Sequence, residues 1–316
     1  MEEESYYSVR RAHHAGSWYE ESQAQLEATL QKNLDQADVP SLQVDEKLRA
    51  LIGPHAGYSY SGPTAAYAYK YLSQALQNQT EVDTILVLHP SHHVYLEGCA
   101  LTGALRLETP IGDLVVAKDL RQELFKTKEF SVMEQSVDES EHSGELHYPY
   151  IAKSLVDANA LNRVEVLPIM IGSISTATER HYGTVLKEVI ARPNVITIIS
   201  SDFCHWGSRF RYQPISDRSI PIYDYISELD HDGMKTIEMQ EPGAFAKYIR
   251  ETKNTVCGRH PIAVWLNAIA SNKEGGIEVL EIKFVRYAQS SQAISTRDSS
   301  VSYASAIATT KPELPN

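Results

Sequence analysis

The run Thr84-Ile85-Leu86-Val87-Leu88-His89-Pro90-Ser91-His92-His93 constrains this chain more than any other stretch. Its first half is a continuous β-branched and aliphatic run, too short for a helix and closed by a proline. Such a run reads as a strand buried on both faces, as in a parallel sheet covered by helices. Its second half turns to imidazoles where the strand would end. Open α/β sheets bind ligands beyond the carboxyl ends of their strands. The same feature occurs earlier: Leu48-Arg49-Ala50-Leu51-Ile52-Gly53 reads as a strand and leads into Pro54-His55-Ala56-Gly57-Tyr58. A helix follows, with Pro63 at its first position and Ala65, Tyr69, Leu72 and Leu76 striping one face. Strand, histidine loop, helix, strand, histidine loop is a βαβ unit, which sets both imidazole loops on one edge of the sheet.

Two further strands are expected at Val164-Glu165-Val166-Leu167-Pro168-Ile169-Met170 and Val195-Ile196-Thr197-Ile198-Ile199-Ser200. The second again ends in polar chemistry, Ser201-Asp202-Phe203-Cys204-His205-Trp206-Gly207. Near the N-terminus, residues 11–19 read as an ordered loop. Ser22 with Gln25 forms a capping box for a helix carrying Leu26, Leu30 and Leu34 on one face. Residues 100–107 read as a short edge strand, and 116–127 and 179–190 as helices. Residues 220–250 read as helices broken near His231-Asp232-Gly233 and Pro242-Gly243, and 279–287 and 301–307 as closing strands. The expected architecture is one α/β domain over residues 1–308, a central, mainly parallel sheet flanked by helices. Residues 309–316 are expected to be a disordered tail.

Composition removes several classes of function. A net charge of −12 argues against nucleic-acid or anionic-membrane binding, which needs a basic face. No apolar run is long enough to span or insert into a membrane, and the acidic start Met1-Glu2-Glu3-Glu4 is unlike a secretion signal. Cys99, Cys204 and Cys257 are widely spaced, with no CxxC and no disulfide framework, so a cytoplasmic location, extending to the nucleus, is expected. The phosphate-binding glycine motifs, HExxH and GxSxG are all absent, which leaves nucleotide-dependent and serine-hydrolase readings without support.

What remains is imidazole and thiol chemistry. Neutral imidazole is the commonest transition-metal ligand, so His55 and His92, on adjacent βα loops, are the candidate pair. Taken singly, each also reads as a loop histidine satisfied by backbone. His89 and His93 are weaker candidates, because neighbours in sequence point in different directions. Cys257 precedes a helix and sits near Arg259, a setting that favours thiolate; the plain alternative is a small buried apolar residue. Asp202 and His205 form an Asp-x-x-His pair: an orienter with its general base, a support behind a metal ligand, or a structural hydrogen-bonded pair. Glu141, His142, Glu145 and His147 could supply another acid/base or ligand, but that cluster reads first as a capped, solvated helix start. Trp18, Tyr58, His93, His142 and Trp206 flank these segments and are candidates for a pocket wall.

Together the motifs resemble the Memo family (mediator of ErbB2-driven cell motility). The resemblance rests on His14-Ala15-Gly16-Ser17-Trp18-Tyr19, Pro54-His55-Ala56-Gly57-Tyr58, Pro90-Ser91-His92-His93, Glu141-His142-Ser143, residues 201–207 and Cys257-Gly258-Arg259-His260-Pro261. Tyr287-Ala288-Gln289-Ser290-Ser291-Gln292 and Asp298-Ser299-Ser300-Val301-Ser302-Tyr303 extend it, and the overall look is that of a eukaryotic member. It implies a fold similar to the class III extradiol dioxygenases, which hold non-haem iron with two histidines and a glutamate. Carried over, His55 and His92 match the two histidines, Cys257 stands at the carboxylate position, and His205 with Asp202 matches the region of the catalytic histidine. The resemblance further implies copper or iron binding, copper-dependent redox activity, and binding of phosphotyrosine-containing segments in motility signalling. Thiolate in place of carboxylate shifts preference towards Cu(I) and exposes an oxidisable ligand, so ring cleavage is not expected.

The leading expectation is therefore a metal site of His55, His92 and Cys257 holding copper or iron, with O2 as the small-molecule partner. His205 serves as acid/base, positioned by Asp202. The rival expectation is a signalling adaptor whose same crevice receives a phosphotyrosine-type peptide, aided by Arg209 and Arg211.

Overall fold

The apolar runs pair side by side in the computed structural model, which describes residues 6–43, 45–215 and 220–310. The elements begin β1 (Tyr7–Arg10), α1 (Gln23–Gln36), β2 (Leu48–Gly53), α2 (Tyr58–Asn78), β3 (Thr84–Pro90), β4 (Cys99–Leu101), β5 (Ala104–Leu107) and β6 (Leu114–Val115). Next come α3 (Lys118–Lys126), β7 (Phe130–Val132), α4 (Gln135–Ser140), α5 (His142–Glu145), α6 (Tyr148–Asp157), β8 (Glu165–Ile171), α7 (Thr176–Ile190) and β9 (Val195–Ser200). The chain closes with β10 (His205–Gly207), α8 (Ile222–Glu238), α9 (Pro242–Thr252), α10 (Arg259–Glu274), β11 (Leu280–Gln289) and β12 (Ser299–Thr310).

Nine strands form the main sheet in the order β10-β12-β2-β9-β3-β8-β4-β7, with β11 paired to β12. Its centre, β2-β9-β3-β8, is parallel throughout, and every residue of β2 and β9 is buried. Antiparallel strands flank that centre, β12 against β2 and β4 against β8. A three-stranded sheet, β1-β5-β6, is separate.

The crossovers β2-α2-β3 and β8-α7-β9 travel in opposite directions across the sheet. Crossovers of one hand that run opposite ways place their helices on opposite faces. Helix α2 packs on β2 and β12 with α1 and α6 behind it, while α7 and α10 pack together against β9. Gly183 permits the second pairing, because a Cβ there would stand 2.5 Å from Asn267 Cβ and 3.0 Å from the Val264 carbonyl oxygen. The change of direction makes the carboxyl ends of β2, β9 and β3 a topological switch point, where a crevice opens. No helix among the described residues is long and apolar enough to cross a membrane.

Several local expectations give way to tertiary contacts. Helix α2 starts at Tyr58, so Pro63 lies inside it; the Trp18 carbonyl accepts the Tyr58 N–H at 2.9 Å and satisfies one of the donors an early start leaves free. Ser22 holds the N-cap position of α1, but its side chain makes no capping bond, since water reaches this exposed end. Helix α8 runs unbroken through His231-Asp232-Gly233; a Cβ at Gly233 would meet the Tyr248 ring at 2.8 Å, so this glycine serves packing against α9. Pro242 does open a new helix. Residues 100–107 divide between two sheets as β4 and β5. Strand β12 continues through Thr310, which pairs with Leu280, so 309 and 310 belong to the sheet; 311–316 lie outside the described residues.

Candidate metal centre

Strands β2 and β3 end at the same sheet edge, and the loops beyond them bring the His55 and His92 ring centroids to 5.1 Å. Cys257, 202 residues beyond His55, places its Sγ 3.1 Å from His55 Nε2, and the same sulfur interacts with the His92 ring. Gly258 makes that approach feasible. A Cβ there would stand 2.2 Å from the Ser200 carbonyl oxygen and 2.4 Å from Ser201 Cβ, both at the end of β9. Only glycine lets the cysteine loop press so closely on that strand end.

Hydrogen bonds behind the rings decide which nitrogens face the centre. The Ser200 hydroxyl donates to the Ser143 carbonyl at 2.7 Å, so its oxygen is left to accept from His55 Nδ1 at 2.6 Å. His55 therefore carries its proton on Nδ1 and turns the Nε2 lone pair towards Cys257. Glu141 holds Nδ1 of His92 in the same way: its carboxylate accepts from Nδ1 at 2.9 Å and from the His92 backbone N–H at 2.5 Å, which leaves Nε2 on the side of the centre. A ligating histidine held through its other ring nitrogen is the usual supporting arrangement of a metal site.

His142, read first as part of a solvated helix start and as pocket wall, with a ligand role the lesser alternative, stands in the centre itself. His55, His92 and His142 each offer a ligand atom, all within 4.8 Å of one another, a group suited to holding a metal ion. The His142 ring stacks on His92 at 4.6 Å and on Trp18 at 4.3 Å, and its buried Nδ1 has no hydrogen-bond partner. His92 forms the mouth, with 27 % of its side chain exposed, while His55 is buried. Burial, reinforced by the neighbouring rings, pushes His55 well below its ordinary value and His142 down to about 3, so both are neutral donors. Burial also works against charge on His92, but its bonds to Cys257 and Glu141 outweigh that and hold it up at about 10. Burial pushes the Cys257 thiol up against the pull of His92; a bound cation would deprotonate it.

The donor set passes a simple fit test. Bonds of about 2.1 Å to nitrogen and 2.3 Å to sulfur at a tetrahedral angle set the two atoms about 3.5 Å apart. The observed 3.1 Å needs only a small opening.

Other candidates fall elsewhere. His205 Nδ1 lies 2.8 Å from the Phe203 carbonyl and 3.1 Å from that of Thr255, so those two acceptors orient it and Nε2 keeps a lone pair. Asp202 is not its hydrogen-bond partner. The Asp202 carboxylate instead accepts the His55 backbone N–H at 2.9 Å, and its own N–H donates to Cys257 Sγ at 3.2 Å. Trp206 is buried and donates to the Pro214 carbonyl, so it walls no open pocket; Tyr58, largely buried and donating to the Leu146 carbonyl, does line an open hollow with Trp18 and Ser59. Trp18 and His93 remain at the surface. Cys204 is fully buried and burial pushes its thiol up. His89 and His147 are buried neutral rings, pushed down to about 4 and about 3.

The 138–147 cluster is not a solvated helix start. Asp138, Glu141, Glu145 and His147 are all buried, and Arg10 is the hidden counter-ion of Asp138 at 2.8 Å and Glu145 at 2.6 Å. Glu145 also accepts from the His14 backbone at 2.8 Å and from Tyr19 at 2.8 Å, which ties residues 10–19 over the centre. Nothing local to either segment announces this pairing. The adjacency of Glu141 and His142, opposite a histidine loop, was the available signal.

An open α/β sheet with imidazoles and a thiol converging beyond its carboxyl edge defines a candidate metal-binding protein. The chain belongs to the Memo family, described as Memo-like protein, whose sequence pattern matches residues 10–307. It is 43% identical over 295 residues to Protein MEMO1 of Danio rerio, covering 93% of this chain and 95% of that one. Protein MEMO1 of Homo sapiens is 41% identical with the same coverage of each, and Protein memo-1 homolog of Caenorhabditis elegans is 41% identical over 95% of this chain and 82% of its own. An uncharacterized protein of Escherichia coli K12 overlays at a TM-score of 0.49 and 14% identity, over 82% of this chain and 98% of that one, and adds nothing further.

Proposed function

We propose that this protein binds copper or iron through His55, His92 and Cys257, with His142 beside them, and performs redox chemistry with O2. The observation that carries the reading is the pair of supports at Ser200 and Glu141, which hold Nδ1 of both rings, leaving the His55 Nε2 lone pair on the Cys257 sulfur and the His92 Nε2 to a cation that would displace its proton. Imidazole with a soft thiolate suits Cu(I) and still permits iron, and the metal when bound would supply one-electron exchange with oxygen. His92 at the mouth gives a small ligand a way in. His205, held by carbonyls through Nδ1, would take or give a proton at Nε2. Asp202 would steady the His55 loop and the thiol rather than His205. Free thiols suit a reducing compartment, so we place this activity in the cytoplasm or nucleus, in motility signalling.

Anaerobic titration with Cu(I) and Fe(II) tests the reading. His55→Ala and Cys257→Ser are each expected to weaken at least one metal by more than about tenfold; unchanged affinity for both in both variants removes the assignment.

A second reading, an adaptor for phosphotyrosine-type peptides, draws support from the exposed Arg209 and Arg211 near His205 and from Trp18 at the rim. Calorimetry with phosphorylated and unphosphorylated peptides, with and without metal, separates the two. Phosphate-selective binding that ignores the metal favours the adaptor.

A further inference from the structure

A cavity of about 590 Å³, unused by the metal-centre reading, opens between α9 and the N-terminal ends of α7 and α10. That is within the size range of small-molecule sites. Its walls are largely apolar, with Phe245, Ile249, Ile174 and Ala263 among them. Its charged lining includes three cations, Arg250, Lys253 and Arg259, none of them in an ion pair among the described residues. Three cations without ion-pair partners thus surround one apolar hollow.

The one carboxylate there, Glu179, is already engaged by His260 Nδ1 at 2.6 Å, and His260 Nε2 is enclosed without a partner. The first residues of two long helices also line the hollow, Ser175 and Thr176 at α7, Arg259 and His260 at α10. The positive end of each helix favours an anion at such a place. Gly183 holds the two helices in close register, so both ends reach the same cavity.

We propose that this cavity binds an organic carboxylate with an apolar body. The body lies on Phe245 and Ile249, and the carboxylate meets Arg250, Lys253 and Arg259. Bidentate pairing of guanidinium with carboxylate supplies the orientation.

The test uses the full chain without metal, titrated by calorimetry with 1-naphthoate and with its uncharged counterpart 1-naphthalenemethanol. Saturable binding of the acid is expected, with the alcohol weaker by about tenfold or more. Arg250 and Lys253 are exposed, so Arg250→Gln with Lys253→Gln leaves the fold intact; it is expected to weaken the acid by about tenfold and spare the alcohol. Ala246→Trp fills the cavity and is expected to abolish both, whereas His55→Ala, in the metal centre, leaves both unchanged. Acid and alcohol binding alike, acid binding indifferent to Ala246→Trp or to the charge removal, sensitivity to His55→Ala, or no saturable acid binding would each overturn the proposal.

Discussion

Glu141→Gln removes one negative charge while keeping the side chain's shape, so it isolates what the carboxylate does for His92. One carboxylate oxygen accepts from His92 Nδ1 at 2.9 Å and Ser143 N–H at 2.9 Å, and the other accepts from the His92 backbone N–H at 2.5 Å. Every partner is a donor, so the amide NH2 of glutamine faces a donor whichever way it turns. Without the carboxylate, His92 relieves the ring contact by giving up the Nδ1 proton and keeping the one on Nε2, and that tautomer has no lone pair for a cation at the centre. Burial works against the Glu141 charge, yet His92 outweighs it and holds the carboxyl well below the usual carboxylate range, so the charged form is the one lost. Losing a charge-assisted bond in a buried setting costs about 1.5–3 kcal/mol of stability. Losing the carboxylate behind a ligating histidine costs about 10–100-fold in metal affinity, or about 1.4–2.7 kcal/mol. Anaerobic competition titrations with Cu(I) and Fe(II), beside urea unfolding, measure both. A variant that is destabilised yet binds both metals within about twofold of the parent would refute the role given to Glu141.

Gly258→Ala drives a Cβ to 2.2 Å from backbone at Ser200 and is expected to lose about 1–3 kcal/mol in urea unfolding along with metal affinity. Gly243→Ala, in α9 with nothing within 4 Å, is the control expected to leave metal affinity unchanged and to raise stability by up to about 1 kcal/mol. Arg10→Met strands the buried Asp138 and Glu145 carboxylates and is expected to cost about 3–5 kcal/mol, with a loss under about 1 kcal/mol speaking against an ion-paired cluster. Burial favours the neutral Glu145 acid, but Arg10 and His14 outweigh it and hold the carboxyl down at about 2. The unfolded value is about 4.3, so this stabilisation is full above that pH and drains away as the pH falls towards 2. Unfolding midpoints across that window are expected to fall more steeply in the parent than in Glu145→Gln.

The legible parts of the fold were those with one physical explanation. Residues 195–200 admit only a doubly buried strand, and β9 has those same limits. The misread parts were residues with two. Gly233 signals a helix break or a close helix contact, and only α9 packing against it tells which. Pro63 signals a helix start until Trp18, from a distant loop, supports an earlier one. The acidic segment 138–147 looked solvated because its counter-ion, Arg10, lies 128 residues from Asp138.

From the sequence alone came the strand runs, the imidazoles just past their ends, the lone thiol before a helix and the family these motifs mark. Each is a local property, because burial on two faces and a loop after a strand leave their imprint within ten residues. The tertiary structure decided which nitrogen of each ring faces the centre, that His142 joins it, and that two carbonyls rather than Asp202 hold His205. Those outcomes depend on strand order and on hydrogen bonds between segments far apart in the chain, which no local pattern records.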